Sequence, residues 1–411
     1  MTVAERSAGW AWLRGTPPRD PSQGHRAATP LELFFDLCFV VAVAAAARSL
    51  HHAVDEAHFR DAVIGYAMVF FAIWWAWMNF TWFASAYDSD DVLYRVLVFV
   101  QIAGVLVFAA GIPRAFETVN FTVCIVGYVI MRVALVAMWC RAAASDPARR
   151  RTDLRYAVGV AVVQLGWIAT IWLPNGWFRP VFPVLAALEL AVPWWAERGE
   201  VTPWHPGHIT ERYGLFTIIV LGETILSATI ALQQSFDTGT QLGQLLVVAA
   251  AGLLIVCSMW WIYFDQPAEV LVDRAHRAQA ERHTSGTFVW GYGHYFVFGA
   301  AAAVGAGLAV VVDQVTHHTE VTARAATMAV ALPVSIYTLG VWVLHRSAAG
   351  RSRWLLAYPI CCVAMFAVAA VGLGVLAVGV IMVVLVATTV WARNSGAARP
   401  DDGAGPVHVA T

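Results

Sequence analysis

Lysine is absent from this 411-residue chain; all 26 basic residues are arginine. Charge of either sign is scarce. Charged residues make up 13% of the total, against ~25% in an ordinary soluble domain. A soluble domain of this length needs more charge than that to cover its surface, so a soluble enzyme and a disordered protein are excluded. The formal net charge is −1, so no basic field exists to hold phosphate, and a nucleic-acid binder is excluded too. Cysteine pairs at metal or redox spacing are missing. Cys38, Cys124, Cys140, Cys257, Cys361 and Cys362 form no CxxC and sit in or beside apolar runs. They read as small core residues, not as a disulfide framework or a zinc site. GxxxxGK[ST], GxSxG and HExxH do not occur, and no cofactor or metal is expected. The first 28 residues are polar and lack a short apolar run, so no cleaved leader is expected and the first membrane helix is expected to direct insertion.

What the chain does have is apolar length. Hydrophobic residues make up 59%, and the mean hydropathy is +0.64. A membrane-crossing helix needs roughly 20 apolar residues. Twelve such segments are predicted, at 31–50, 62–86, 92–112, 119–140, 155–173, 178–196, 213–232, 241–264, 287–311, 322–345, 354–372 and 374–392. The last two are divided only by Gly372 and Gly374, so eleven is the rival count. The sixth carries Pro180, Pro183 and Pro193 and is expected to kink. The chain therefore reads as an all-α integral membrane protein surrounded by the lipid bilayer. With a cytoplasmic N-terminus, the inner segments hold 18 arginines and the outer ones five. That bias favours twelve crossings of a bacterial cytoplasmic membrane with both termini inside.

Internal similarity points to duplication. Ile73-Trp74-Trp75-Ala76-Trp77-Met78-Asn79 matches Met259-Trp260-Trp261-Ile262-Tyr263-Phe264-Asp265 position by position, and Glu32-Leu33-Phe34 matches Glu211-Arg212-Tyr213. Two parallel six-helix repeats are expected. The domains would be a polar cytoplasmic tail over 1–28, repeats over 29–197 and 198–395, and a cytoplasmic tail over 396–411. Glu32, Asn79, Glu211 and Asp265 are the repeat-related polar positions.

Ionisable side chains inside a membrane are costly and mark either pairing or a wet path. Glu32 and Asp36 share one helix face by their i,i+4 spacing. Thr29 and Glu32 have the pattern of a capping box, which covers Glu32 but not the deeper Asp36. Glu223 lies about ten residues into its span, so ~15 Å deep, with Gly222 beside it to admit another backbone. Arg132 and Glu189 reach a similar depth. These three form either a static bridge or a network in which one acid exchanges a proton, with Arg132 as counter-charge to Glu223. His294 is an intramembrane imidazole, either a proton shuttle or a hydrogen-bonded core residue. Asp88, Asp90, Asp91 and Arg95 make a tight acidic turn. It reads as a cap from Ser89 or Asp90 with an Asp91–Arg95 pair, or as a point where a cation or proton enters. The imidazoles of the outer loops, among them His51, His52, His58, His317 and His318, match no zinc signature.

Five stretches carry a resemblance: TPLELFFDLCFVVAV from Thr29, YDSDDVLYR from Tyr87, ERYGLFTIIVLGETIL from Glu211, WWIYFD from Trp260 and WGYGHYFVFGAAA from Trp290. They resemble the bacterial low temperature requirement protein A (LtrA) family over roughly residues 28–395. The resemblance implies a multi-pass membrane protein tied to growth in the cold, with no substrate or catalytic residue attached. The expected function is a permease or channel-like transporter for a small substrate or ion, proton-coupled, with Asp36 as inner gate, Glu223 as midplane carrier and His294 as shuttle. The alternatives are a membrane enzyme that holds Mg²⁺ on a lipid or isoprenoid phosphate through the acidic turn, or a non-catalytic membrane stress protein. The arginine bias predicts that a reporter fused after Arg151 reads cytoplasmic and one fused near His318 reads external. The opposite reading at either point rejects the topology.

Overall fold

The structure is a computed structural model that describes residue 12 and residues 15–20, 27–87, 89–174, 176–237, 241–265, 284–349 and 353–395. Asp88, the loop 266–283 and the tail 396–411 lie outside the described residues. Twelve α-helices occupy the described chain, with no strand among them: α1 Pro30–Asp55, α2 Phe59–Ala86, α3 Val92–Thr118, α4 Thr122–Ser145, α5 Arg150–Ala169, α6 Phe178–Ala196, α7 Pro206–Asp237, α8 Leu242–Phe264, α9 Thr284–Val315, α10 Ala323–Ala349, α11 Ala357–Val371 and α12 Val375–Asn394. Every predicted segment falls on one of them. Eleven are long and apolar enough to cross a membrane, and the exception is α6. That helix contains Pro183 and Pro193, and its charged Arg179 and Glu189 dilute a short apolar run. The ambiguous α11–α12 junction is a true break. Gly372 adopts φ 85° and Gly374 φ 81°, and the Gly372 and Leu373 amides both return to Val368 O, at 3.0 and 3.1 Å. This left-handed stop suits glycine because it has no Cβ.

The polarity of the molecule is that of a membrane protein. Apolar side chains point outward along the helices, such as Val133, Leu165, Leu253, Ile360 and Val363, each at least 59% exposed. Meanwhile Arg132 and Arg212 are among the largest fully buried side chains. In water that outer face would be an aggregation surface; against lipid it is the favourable one, and helices are the elements that pair backbone groups within their own segment.

Two compact units partition the chain. One holds the described residues up to Leu50 together with Phe59–Ile219; the other holds His51–His58 and the described residues from Val220 onward. In the first, α3 packs on α4, α4 on α5 and α5 on α6. In the second, α9 packs on α10, α10 on α11, α11 on α12, and α12 returns to α8. Residues 15–20 belong to the first unit, where Thr16 N donates to Ser145 Oγ at 2.9 Å and Arg19 N to Ala86 O at 3.0 Å. Trp74 and Trp75 are buried, but Trp260 and Trp261 are 47% and 45% exposed. The matched aromatic segments thus occupy unlike environments. The cysteines also divide: Cys124, Cys361 and Cys362 are core residues as expected, while Cys140 and Cys257 are exposed.

Helix pairs that cross at backbone distance do so through glycine. A Cβ placed on Gly127 of α4 would meet Gly104 O of α3 at 2.6 Å, and one on Gly307 of α9 would meet Ala329 C of α10 at 2.7 Å. Small residues at such crossings let dispersion contacts replace the missing hydrophobic drive between helices in lipid. Gly222 is different, for a Cβ there meets nothing within 4 Å. The expected backbone approach beside Glu223 is made instead by Gly305, whose added Cβ would lie 3.2 Å from Thr224 Cα. Gly127→Val is therefore expected to destabilise the protein by at least the ~1–3 kcal/mol of an overpacked core, read as lost yield and a lower melting temperature in detergent. Gly222→Ala should be neutral or slightly stabilising in the same assay, since alanine favours helix by about 1 kcal/mol.

Candidate functional site

The first unit contains a fully buried ionic cluster built from two matched i,i+4 pairs, Glu32 and Asp36 on α1 and His208 and Arg212 on α7. All four side chains are at most 2% exposed. The capping box at the start of α1 forms as expected, with Thr29 N donating to Glu32 Oε2 at 2.7 Å and Glu32 N to Thr29 Oγ1 at 3.2 Å. Its other carboxylate oxygen faces α7, where Glu32 Oε1 lies 3.2 Å from His208 Nε2 and 3.5 Å from Arg212 Nη1. Asp36, one turn deeper, receives a bidentate guanidinium. Arg212 Nε donates to Oδ2 at 2.7 Å, and Arg212 Nη2 donates to Oδ1. Trp77 Nε1 completes the shell of Asp36 Oδ1 at 2.6 Å, and Thr81 Oγ1 accepts from Arg212 Nη2 at 3.3 Å. Bidentate charge-assisted bonds of this kind fix both distance and orientation.

A second cluster lies between α2, α4, α5 and α6 of the same unit. Glu189 Oε2 is 3.6 Å from Arg132 Nη2 and accepts from Trp75 Nε1 at 2.8 Å. Glu189 Oε1 accepts from Trp167 Nε1 at 3.2 Å. Arg132 donates to the Tyr128 hydroxyl one turn back and lies 4.4 Å over that ring. The counter-charge expected for Glu223 is thus engaged with Glu189. Here one cation meets one anion, so the cluster is neutral as it stands.

In the second unit, Glu223 is 8% exposed and accepts from Ser227 Oγ at 3.1 Å. A cavity of about 190 Å³ opens nearby, lined by Thr224, Thr229, Gly252, Leu253 and Leu308 among others. Both threonine hydroxyls are turned to helix carbonyls, Thr224 to Ala301 O at 2.9 Å and Thr229 to Ile225 O at 2.8 Å, so the cavity presents an apolar wall. His294 is buried. Its Nδ1 is 2.8 Å from Trp290 O and its Nε2 3.0 Å from the Tyr263 hydroxyl, which is the geometry of a hydrogen-bonded core histidine.

At the helix ends, Asp90 and Asp91 of the acidic turn are engaged by protein partners. Asp91, not Ser89 or Asp90, caps α3, accepting from Tyr94 N at 2.7 Å, and it pairs with Arg141 at 2.5 Å. Arg95 pairs with Asp90 at 2.7 Å rather than with Asp91. The helix starts at Val92, which puts the residue before it, Asp91, in the capping position. Asn79 donates to Trp75 O at 2.7 Å, Glu211 accepts from Ala28 N at 3.2 Å, and Asp265 pairs with Arg393 at 2.8 Å. Burial raises the Asp265 pKa, against the opposing pull of Arg393. Burial likewise raises that of Glu197, against its bonds to Thr202 and Tyr156. Tyr87, whose hydroxyl reaches Asp153 at 3.1 Å, is pushed up by burial and then by the charges of Asp153 and Asp146.

Residues 27–391 match the family described as bacterial low temperature requirement A protein (LtrA). The chain belongs to that family. An uncharacterized protein of Rhizobium meliloti (strain 1021) is 30% identical over 301 residues, which is 70% of this chain and 69% of the relative. The family match spans both segments that supply Glu32, Asp36 and Arg212, from Thr29 and from Glu211. It establishes a multi-pass membrane protein of the LtrA family. Two members of that cluster went unassigned in the sequence, Arg212 and His208. The His-x-x-x-Arg spacing was present, but the predicted segment at 213–232 left both residues before the helix; the structure starts α7 at Pro206, which puts them on one helix face.

The Glu189 cluster generates a stability test. Arg132→Ala strands a buried carboxylate, which costs about 3–5 kcal/mol, so yield and melting temperature should fall sharply. Combining Arg132→Met with Glu189→Gln removes both charges, and the double variant should melt above Arg132→Ala.

Proposed function

We propose that this LtrA-family chain is a proton-conducting or proton-coupled permease of the bacterial cytoplasmic membrane. Glu32, Asp36, His208 and Arg212 form its proton-exchanging group. One observation carries the reading: the cluster buries two carboxylates against a single guanidinium. Among the described residues, both acids when ionised outnumber the guanidinium by one, an arrangement a low-dielectric interior disfavours. One proton, on His208 or on an acid, restores neutrality. His208 lies 3.2 Å from Glu32, so that proton has two adjacent sites. The Arg132–Glu189 cluster, one cation to one anion, needs no proton and serves as a structural tie. The roles expected for Glu223 and His294 are not part of this proposal, because Glu223 accepts from Ser227 on its own helix while Arg132 is engaged with Glu189, and both His294 nitrogens are hydrogen-bonded.

The twelve-crossing topology with both termini inside is part of the reading. Terminal ion pairs support it, since they join segments assigned to the same side: Asp61–Arg179 at 2.6 Å on the outside, Asp91–Arg141 at 2.5 Å and Asp265–Arg393 at 2.8 Å inside. The succession α3–α4–α5–α6, repeated as α9–α10–α11–α12, supports a duplicated six-helix unit. The enzyme alternative loses its footing where Asp90 and Asp91 are already engaged by Arg95 and Arg141.

Proteoliposomes loaded with a pH-sensitive dye test the proposal. The parent protein should dissipate an imposed pH gradient faster than empty vesicles. Asp36→Asn should return the rate to the vesicle background while the protein still elutes as a folded species. A parent indistinguishable from empty vesicles, or a folded Asp36→Asn with the parent's rate, rejects it.

A further inference from the structure

The sequence offered no metal signature, but the second unit brings together three ligating side chains that are far apart in the chain. We propose that His51 and Asp55 at the end of α1, with Asp313 near the end of α9, bind a first-row divalent cation of the zinc or manganese type. His51 Nε2 lies 2.9 Å from Asp55 Oδ2 and 2.6 Å from Asp313 Oδ2. One ligand atom from each residue falls within 4.8 Å of the other two. The i,i+4 spacing of His51 and Asp55 aims both along one face, and Asp313 closes the set across 262 residues.

Four features favour a cation over a simple ionic contact. The charges within contact distance do not balance: two carboxylates face the His51 imidazole, which even when protonated leaves one negative charge, and His318, the other imidazole acting on Asp313, has its Nδ1 turned to Thr316 Oγ1 at 3.0 Å. A divalent cation with a neutral imidazole brings the set to zero. Asp55 Oδ1 is buried with no hydrogen-bond partner, so this carboxylate has lone pairs to spare. The three side chains keep 18–25% of their surface, enough for an ion to reach them. Little movement is needed, because a tetrahedral site with bonds of about 2.0–2.2 Å sets neighbouring ligand atoms roughly 3.3–3.6 Å apart. His51 Nε2 has to part from the Asp55 and Asp313 oxygens by about 1 Å or less to reach that spacing, and the two carboxylates already lie within 4.8 Å of each other. Donor type selects the ion. A nitrogen with two carboxylates and no thiolate suits zinc or manganese, whereas calcium and magnesium prefer all-oxygen shells. Three protein ligands leave a coordination position open to water or to a substrate.

The experiment uses the full chain in detergent, stripped with chelator, and titrated with Zn²⁺ by calorimetry and with Mn²⁺ by electron paramagnetic resonance. One equivalent of Zn²⁺ should bind. Affinity should fall more than tenfold in Asp313→Asn and in His51→Gln, in line with the losses that follow disruption of metal sites. His58→Ala, at a residue paired with Glu56 and outside the set, should bind like the parent. Bound Mn²⁺ should show an electron–nuclear coupling to imidazole nitrogen that disappears in His51→Gln. Melting of the metal-free proteins separates lost binding from lost fold. Should both variants fail to fold, the nitrogen coupling in the parent decides, its presence supporting the site and its absence rejecting it. Failure of the folded parent to take up a stoichiometric ion, or parent-like affinity in folded Asp313→Asn, also overturns the proposal.

Discussion

The pairing of Arg212 with Asp36 and Glu32 is the contact on which the first unit depends. A guanidinium inside a membrane protein survives only where carboxylates and hydrogen bonds replace water. Arg212 meets that requirement by drawing α1 and α7 onto each other and onto Trp77 and Thr81 of α2. The aromatic packing follows the same line. The Trp77 ring stacks on Phe216 at 4.4 Å and meets Tyr213 edge-on at 5.0 Å, so the indole that bonds Asp36 is held from its other side by α7. Charge and packing fix the same helix register.

The two ionic clusters of this unit differ in a way that separates structure from chemistry. Glu189 and Arg132 cancel, two indoles bond the carboxylate and the Tyr128 phenol takes one guanidinium nitrogen, while Arg132 Nε is buried without a hydrogen-bond partner. Such a set resists change because each member would be stranded without the others. In the proposed reading, the cluster at Asp36 sets two carboxylates against one guanidinium among the described residues, and a proton on His208 or on an acid offsets the difference. That imbalance is why the proposed chemistry is placed there. Away from the charges, the helices are held by shape. Gly104 against Gly127, and Gly307 against Ala329, bring backbones to distances no larger residue permits.

Much of this was legible in the sequence. Apolar runs gave the twelve helices, Thr29 and Glu32 announced the first cap, and the Glu32–Asp36 spacing marked the face that carries the cluster. The LtrA resemblance rested on the same stretches. The partners were less legible. Depth alone suggested Arg132 for Glu223, but depth is one coordinate, and helix rotation and neighbour order put Glu189 beside the arginine instead. The aromatic repeat suggested equivalent positions, yet Trp75 bonds a buried carboxylate and Trp261 is half-exposed. Similar strings therefore do not bring similar surroundings.

The sequence by itself determined the solvent and the element. Scarce charge and long apolar stretches permit only helices in lipid, because every backbone amide must find a partner within its own segment. Tertiary structure decided which charges meet. Asp36 reaches Arg212 across 176 residues and His51 reaches Asp313 across 262. No local periodicity encodes such separations, since they are fixed by which helices become neighbours and how each is rotated about its axis.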